Sequence, residues 1–206
     1  MNALAVWKEN LLQMIDVKDI IQVMNKKGHV IFDNDSKPYN LNYIAVRDMG
    51  GQWNDQFFLI WKYKGKWSHV TWMGTTDPGA YYLKHPLNAD GTAILPEGQH
   101  RGLFKMGLHR GKYKALVQAR EVEVYRDGDK DSMPELNSLK LYKGWHGINS
   151  HRAHATVEVA TIGKYSAGCQ VTHNIEEYNT FLFLVEQAMK YWGMKLTYTI
   201  LNVNDF

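Results

Sequence analysis

Between residues 29 and 127 the chain consists mainly of short runs of aromatic and β-branched residues, a pattern that predicts β-strands. The runs are HVIFD, LNYIAVRDM, QFFLIWKYK, KWSHVTWMG, GTTDPGAYYL, KALVQAR and EVEVYRD. Lys64-Gly65 lies between two of them and predicts a hairpin turn, and the stretch from Asn88 to Gly91 predicts a second turn. Because the strands do not alternate with helices as in βαβ units, the pattern favours an antiparallel sheet or barrel.

Helical patterns stand at the two ends of the chain. Apolar residues between Leu4 and Met24 fit one helix, or two short ones with a break near residues 16–19, and Gly28 is a suitable stop. From Asn174 to Gly193, an N-cap residue, acidic residues in the first turn and a final glycine predict a helix. The alternating segment KLTYTIL that follows predicts the last strand.

Composition narrows the class of protein. The 206 residues are 45% apolar and 22% charged, as is usual for one globular domain. No apolar run approaches the roughly 18 residues that span a bilayer, so we expect no membrane insertion. A net charge of +3 gives no reason to expect nucleic acid as a partner. The N-terminal residues lack the features of a signal peptide, so we expect synthesis in a cytoplasm without one.

Cys169 is the single cysteine of the chain. Because the chain has a single cysteine, an intramolecular disulfide and a multi-cysteine zinc site are excluded. Cys169 is then either a buried residue of the core or a nucleophile. Three histidines, His146, His151 and His154, precede it. A cysteine becomes a useful nucleophile when an imidazole accepts its proton and backbone amides hold the oxyanion that forms. Gly168 would let the backbone approach a substrate closely.

The order and spacing of these residues resemble the catalytic domain of the L,D-transpeptidases, cysteine enzymes of bacterial cell-wall metabolism. His151 precedes Cys169 by 18 positions, and Ser166-Ala167-Gly168-Cys169 fits the family segment Ser/Thr-X-Gly-Cys. The stretch from Gly74 to Leu83 looks like the family's Thr-Pro-X-Gly-X-Phe segment. The C-terminal helix and strand match the usual ending of the family, and the chain is also similar to uncharacterised proteins of bacteroidetes and their phages.

The resemblance implies a mainly β (α+β) fold, an L,D-transpeptidase-like β-sandwich or barrel with a C-terminal helix after the catalytic cysteine. Residues 1–73 would then be an N-terminal extension of helix and strands, which caps the cleft or docks onto a partner. Residues 74–206 would form the catalytic domain.

The resemblance also implies a mechanism. The Cys169 thiolate would attack a peptide carbonyl of a peptidoglycan stem, His151 would protonate the leaving amine, and a thioester would form. The backbone amides of Cys169 and Gly168 would hold the oxyanion. The group that fixes the histidine tautomer is commonly a backbone carbonyl in the family, and Asn149 is a nearby side chain that could substitute. No cofactor or metal is expected.

Four residues are predicted to contact the substrate. Ser166 and Gln170 flank the Gly-Cys pair, where the family commonly has His at the position of Ala167 and often Arg at that of Gln170. Arg152 is a candidate carboxylate clamp in place of that arginine, or else a surface ion pair. His109 lines the cleft from another strand, or else faces solvent. His146 and His154 flank His151 and are interpreted as surface residues of a β-hairpin without a role in the chemistry.

Two further patterns have a functional and a structural interpretation. The segment Asp127-Gly128-Asp129-Lys130-Asp131 resembles the start of a calcium loop, but Ser132 and Ser138 stand where such loops need Gly and Glu. We therefore interpret it as a solvated acidic turn. One aromatic set is either a carbohydrate or peptide platform or, as we favour, core plus one exposed face: Trp53, Phe57, Phe58, Trp61, Tyr63, Trp67 and Trp72.

The sequence thus predicts a cysteine peptidase of the phage lysin type that acts on peptidoglycan stem peptides in the periplasm or cell wall. Such a protein would be released from the cytoplasm or carried in a virion, with a virion or tail protein as a partner. The alternatives are an L,D-transpeptidase or carboxypeptidase of the cell wall, a toxin delivered between bacteria, and a non-catalytic wall-binding or virion structural protein in which Cys169 is merely buried.

Overall fold

The computed structural model describes residues 14–136 and 140–206. Within these residues the helices are α1 (Val17–Lys26), α2 (Ala80–Lys84) and α3 (Ile175–Trp192), and a 3-10 turn spans Val203–Asp205. Its strands are β1 (Asn42–Arg47), β2 (Asp55–Tyr63), β3 (Lys66–Thr75), β4 (Thr92–Ile94), β5 (Gly98–His109), β6 (Tyr113–Gln118), β7 (Val122–Asp127), β8 (Tyr142–Gly144), β9 (Ser150–Arg152), β10 (Gln170–Thr172) and β11 (Lys195–Asn202). The predicted mainly β composition is confirmed.

Eight of these strands close into a barrel in the order β1-β11-β5-β6-β9-β10-β3-β2, and β4, β7 and β8 form a separate small sheet. The expected antiparallel pairing is wrong at two places, because β1 pairs with β11 and β9 pairs with β10 in parallel. The predicted domain boundary after residue 73 falls inside β3, and strands from both sides of it belong to the one barrel.

The local signals for turns and helix ends correspond well to the observed elements. Lys64 and Gly65 have φ values of 49° and 76° and join β2 to β3, as the hairpin prediction requires. The Asp16 side chain caps α1 by accepting the amides of Lys18 and Asp19, which explains why a helix begins at the predicted break. The part of that prediction that covers residues 4–13 lies outside the described residues.

Two predicted strands are wrong. Residues 29–33 form no strand, because the Asn42 side chain binds the backbone of Phe32 and holds it apart from the sheet ladder. The predicted strand over residues 74–83 ends at Thr75 with β3, and α2 then begins at Ala80.

The core explains how the helices are attached. On β1, Tyr43 and Ala45 belong to the cluster that α3 completes with Phe181, whereas Ile44 and Val46 belong to a second cluster under α1. This alternation places α1 and α3 on opposite faces of β1. Phe57, Phe58 and Trp72 of the aromatic set are buried in these two clusters. No helix among the described residues is both long and apolar enough to cross a membrane.

Candidate active site

The parallel pairing of β9 with β10 aligns the segment around Cys169 with the one around His151. Gln170 lies opposite Ser150 and Val171 opposite His151, and the Gln170 amide donates to the carbonyl of Asn149 at 2.8 Å. Side chains alternate between the faces of a sheet. Ser150 and Gln170 are buried against the core tyrosines, so Asn149, His151 and Cys169 share the other face.

Cys169 opens onto a cleft of about 420 Å³. His109, at the end of β5, and Asn149 line the same cleft. The His151 ring lies against that of His109, with 3.9 Å between ring centroids. Three residues that were predicted from the sequence to act at the site, Cys169, His109 and Asn149, therefore line one cleft, and the fourth, His151, packs on His109 outside that lining.

His151 is held as a neutral imidazole with one tautomer. Its Nδ1 lies 2.8 Å from the carbonyl oxygen of Arg152, and because a carbonyl only accepts, Nδ1 carries the proton. Its Nε2 is buried and finds no hydrogen-bond partner within residues 14–136 and 140–206. Burial, followed by the neighbouring His109, lowers the pKa of His151 to about 3. An imidazole in this state has a free Nε2 lone pair that can accept a proton.

Asn149 orients His109, not His151. Its Oδ1 accepts the backbone amide of Gln118 at 3.1 Å, so its Nδ2 is the donor to Nδ1 of His109 at 3.2 Å. The proton of neutral His109 therefore resides on Nε2. Burial and the charge of Arg110 lower the pKa of His109 to about 4. The role proposed for Asn149 at His151 is filled instead by the Arg152 carbonyl, the arrangement that the family resemblance implies.

Cys169 is half-buried, and its thiol lies 3.5 Å from the carbonyl oxygen of Gly147. Burial raises the pKa of the thiol, while the backbone of Asn149 and the positive charge of Arg110 lower it. The net effect of these influences is that the pKa of the Cys169 thiol is raised. In the resting protein the Cys169 thiol and the imidazoles of His109 and His151 are therefore all neutral, with no thiolate–imidazolium pair.

Ser166 and Gln170 support the cysteine loop from inside and cannot contact a substrate as predicted. Both are fully buried. The Ser166 hydroxyl donates to the carbonyl of Cys169 at 2.9 Å and accepts the amide of Gly168 at 3.2 Å. Gln170 accepts the Tyr198 hydroxyl and donates to the carbonyl of Gly168. Because its amide is already bonded, Gly168 is not an oxyanion donor in this arrangement.

Gly168 has a different, structural requirement. Its φ is +112°, and a Cβ there would overlap the carbonyl oxygen of Ala93 at β4. The glycine of the Ser-X-Gly-Cys segment thus allows the cysteine loop to pack against the small sheet.

The cations of the cleft are Arg110 and Arg126, which sequence reasoning missed. Arg126 donates to the carbonyl of Gly91 at 3.1 Å and to Nδ1 of His146 at 3.0 Å. Among the described residues that line the cleft, none is acidic. The predicted clamp Arg152 instead places its guanidinium 4.1 Å from the centroid of the Tyr113 ring. The sequence carried no signal for Arg126, because its approach to the cleft depends on β7 pairing with β4.

The other two histidines are bound within the structure, but neither lies on a strand of a hairpin, and His146 lines the cleft. The Nε2 of His146 donates to the carbonyl of Tyr142 while its Nδ1 accepts from Arg126. The Nδ1 of His154 accepts the amides of Thr156 and Val157 at 3.3 Å.

Comparisons with protein-family models, with curated proteins and with solved structures give no match. What the site does is therefore inferred from its own chemistry.

Proposed function

We propose that the protein is a cysteine peptidase that cleaves an amide bond of a peptidoglycan stem peptide through a thioester on Cys169. The observation that carries the proposal is the state of His151. Its Nδ1 is held by a backbone carbonyl, and its buried Nε2 has no hydrogen-bond partner among the described residues. His151 lies on β9, which pairs with β10, the strand that begins directly after Cys169. A buried imidazole nitrogen without a hydrogen bond lowers the stability of the fold, and such a group calls for a functional explanation. Accepting the proton of the thiol is a function that requires a free nitrogen.

The first half of the reaction forms the thioester. When substrate enters the cleft, Nε2 of His151 takes the thiol proton as Sγ attacks the carbonyl carbon. The backbone amide of Cys169 donates to the oxyanion of the tetrahedral intermediate. Collapse of the intermediate breaks the C–N bond, and the imidazolium returns its proton to the leaving amine.

The second half restores the enzyme. His151 accepts a proton from water as the water oxygen attacks the thioester, and the same proton then passes to the departing sulfur. The products are a carboxylic acid and the amine released earlier. An amine in place of this water would make the reaction a transpeptidation.

The charge of the cleft supports a substrate with a free carboxylate. Arg110 and Arg126 line the cleft, and no described residue in that lining is acidic. Guanidinium groups bind carboxylates in a fixed geometry. Stem peptides carry such carboxylates. We therefore assign the binding of the substrate carboxylate, which was predicted for Arg152, to these two arginines. The proposed place of action is the cell wall, which the protein reaches directly or as part of a virion.

Purified protein incubated with isolated peptidoglycan, followed by mass spectrometry of the muropeptides, tests the proposal. We expect shortened or uncrosslinked stems from the wild type and none from Cys169→Ala. His151→Ala should reduce the rate about 100-fold or more, the usual contribution of a general base. New crosslinks would identify a transpeptidase. An unchanged profile on several wall types would favour the non-catalytic alternative, with which the raised pKa of Cys169 is compatible.

A further inference from the structure

The end of the β5–β6 hairpin places two rings next to His151. His109 and Tyr113 are the last pair in register before the turn, and their ring centroids lie 5.5 Å apart. His109 lies against the His151 ring, whereas the phenol oxygen of Tyr113 lies 3.3 Å from its Nδ1. Because β6 also pairs with β9 through Leu116 and Ser150, the hairpin is joined to the strand that carries His151.

The Tyr113 hydroxyl meets two groups whose hydrogen-bonding roles are already fixed. The carbonyl of Arg152 can only accept, and Nδ1 of His151 donates to it at 2.8 Å. The hydroxyl lies 3.4 Å from the same carbonyl oxygen, so it donates there, while its oxygen shares the proton on Nδ1. Both contacts of Tyr113 are longer than the bond that they support, so we expect a modest contribution from each.

The opposite tautomer of His151 is incompatible with this arrangement. With the proton on Nε2, a lone pair of Nδ1 would face the Arg152 carbonyl oxygen at the observed 2.8 Å, and two acceptors at that distance repel. The carbonyl enforces the tautomer only while it stays in place. The Tyr113 hydroxyl, as a second donor to that oxygen, opposes its rotation away from the ring.

The Arg152 side chain holds the tyrosine in turn. Its guanidinium lies 4.1 Å from the centroid of the Tyr113 ring, within the range of a cation–π contact. Burial raises the pKa of Tyr113, so the hydroxyl keeps the proton that it donates. Arg152 therefore contributes its main-chain carbonyl to His151 and its side chain to the residue that steadies this carbonyl.

We propose that Tyr113 is a positioning residue for His151. Its hydroxyl fixes the Arg152 carbonyl and with it the Nδ1–H tautomer, which leaves Nε2 free to accept the proton of the Cys169 thiol. The consequence for catalysis rests on the proposed function, whereas the tautomer is a property of the protein without substrate.

Nitrogen-15 NMR of the full chain with labelled histidine measures the tautomer, because protonated and unprotonated ring nitrogens differ in chemical shift. The signal that disappears in His151→Gln identifies the residue. We expect the Nδ1–H form alone in the wild type. Tyr113→Phe removes only the hydroxyl and should show the Nε2–H form in about one tenth of the protein or more, as the loss of a weak hydrogen bond implies. Circular dichroism checks that this variant is folded.

Steady-state cleavage of soluble crosslinked muropeptides measures the consequence. Tyr113→Phe should lower kcat about three- to tenfold and leave KM within about twofold, because the hydroxyl acts on the base and not on the substrate. Arg152→Gln keeps the carbonyl but removes the cation from the Tyr113 ring, so it should change the tautomer and kcat in the same direction by smaller factors. Tyr191→Phe, which removes a hydroxyl from an exposed position on α3, is the matched control and should behave as the wild type.

The inference is wrong if Tyr113→Phe retains the Nδ1–H form alone. It is also wrong if this variant raises KM with kcat unchanged, which would make Tyr113 a substrate contact. If Tyr113→Phe does not fold, the same NMR comparison is made with Arg152→Gln, and an unchanged tautomer there overturns the inference. A wild type that cleaves no muropeptide would refute the proposed function, while the NMR comparison would still decide whether Tyr113 fixes the tautomer.

Discussion

Cys169 and His151 are both kept neutral by burial, and this determines how the site can react. The pKa of the thiol is raised and that of the imidazole is lowered, so proton transfer from one to the other is unfavourable in the free protein. Attack on a bound carbonyl would couple that transfer to bond formation. The site is therefore expected to be slow toward small alkylating reagents even if it is fast toward its substrate.

Arg110 is the charged side chain that favours the Cys169 thiolate. Arg110→Gln should raise the thiol pKa further and slow iodoacetamide alkylation at about pH 8 by roughly two- to tenfold at low salt. The rate of mass gain in a protein mass spectrum measures this effect. Lys112→Gln, in the same β5–β6 turn but not lining the cleft, is the control. If both variants slow alkylation equally, the charge of Arg110 does not act on the thiol specifically.

At the scale of elements, α3 links the site to the core. It begins three residues after the end of β10 and carries Tyr178 and Phe181 into the barrel cluster, where Phe181 packs on Tyr43 at 4.9 Å between ring centroids. Asn174 accepts the amides of Glu176 and Glu177 and so satisfies two donors that the first turn leaves unpaired. The helix start is thus fixed directly behind the strand that follows the cysteine.

Asn174→Ala should lower the free energy of unfolding by about 1 kcal/mol, because these two amides lose their acceptor. Asn174→Ser keeps a side-chain oxygen at the cap and should retain most of that stability. Urea denaturation of the three proteins measures the difference. Equal stability of the alanine and serine variants would contradict a capping role, and would point instead to the contact of Asn174 with Glu158.

At the scale of the whole molecule, folding buries two histidines and two carboxyl groups whose pKa values shift in opposite directions. His151 and His109 have pKa values lowered to about 3 and about 4, below the value near 6.5 of an unfolded chain. Their contribution to stability is complete above pH 6.5 and is lost as the pH falls. Burial raises the pKa of Asp55 to about 7 and that of Asp127 to about 6, so the contribution of these carboxyls is lost as the pH rises.

Because the two effects oppose each other, the stability curve of the wild type alone does not isolate the histidines. The difference in free energy of unfolding between wild type and His151→Gln does isolate the contribution of His151. As the pH falls from 6 to 4, the wild type should lose stability relative to the variant by up to about 1.4 kcal/mol per pH unit, because only the wild type gains a proton at this position on unfolding. Chemical denaturation at several pH values measures it. A difference that stays constant over this range would mean that His151 is not held neutral.

The features that were predictable from the sequence are those that depend on neighbouring residues. Alternation and β-branching identified β1, β2, β3, β6, β7 and β11, and the caps Asp16 and Asn174 and the Lys64-Gly65 turn marked where elements begin and end. The resemblance of the segment from His151 to Cys169 to a family motif implied that both belong to one site, and β9, which carries His151, does pair with β10, which begins directly after Cys169. The strand, cap and turn signals depend on a few neighbouring residues, so they can be recognised in the sequence without knowledge of the rest of the fold.

Contacts between distant segments were decided only by the tertiary structure. The parallel pairing of β1 with β11 closes the barrel across more than 150 residues, and no local pattern specifies it. The same closure turns Ser166 and Gln170 inward and pairs Asn149 with His109, while the pairing of β4 with β7 in the small sheet brings Arg126 to the cleft. The direction and burial of a side chain depend on which strand becomes its neighbour, and that choice is made by the packing of the whole core.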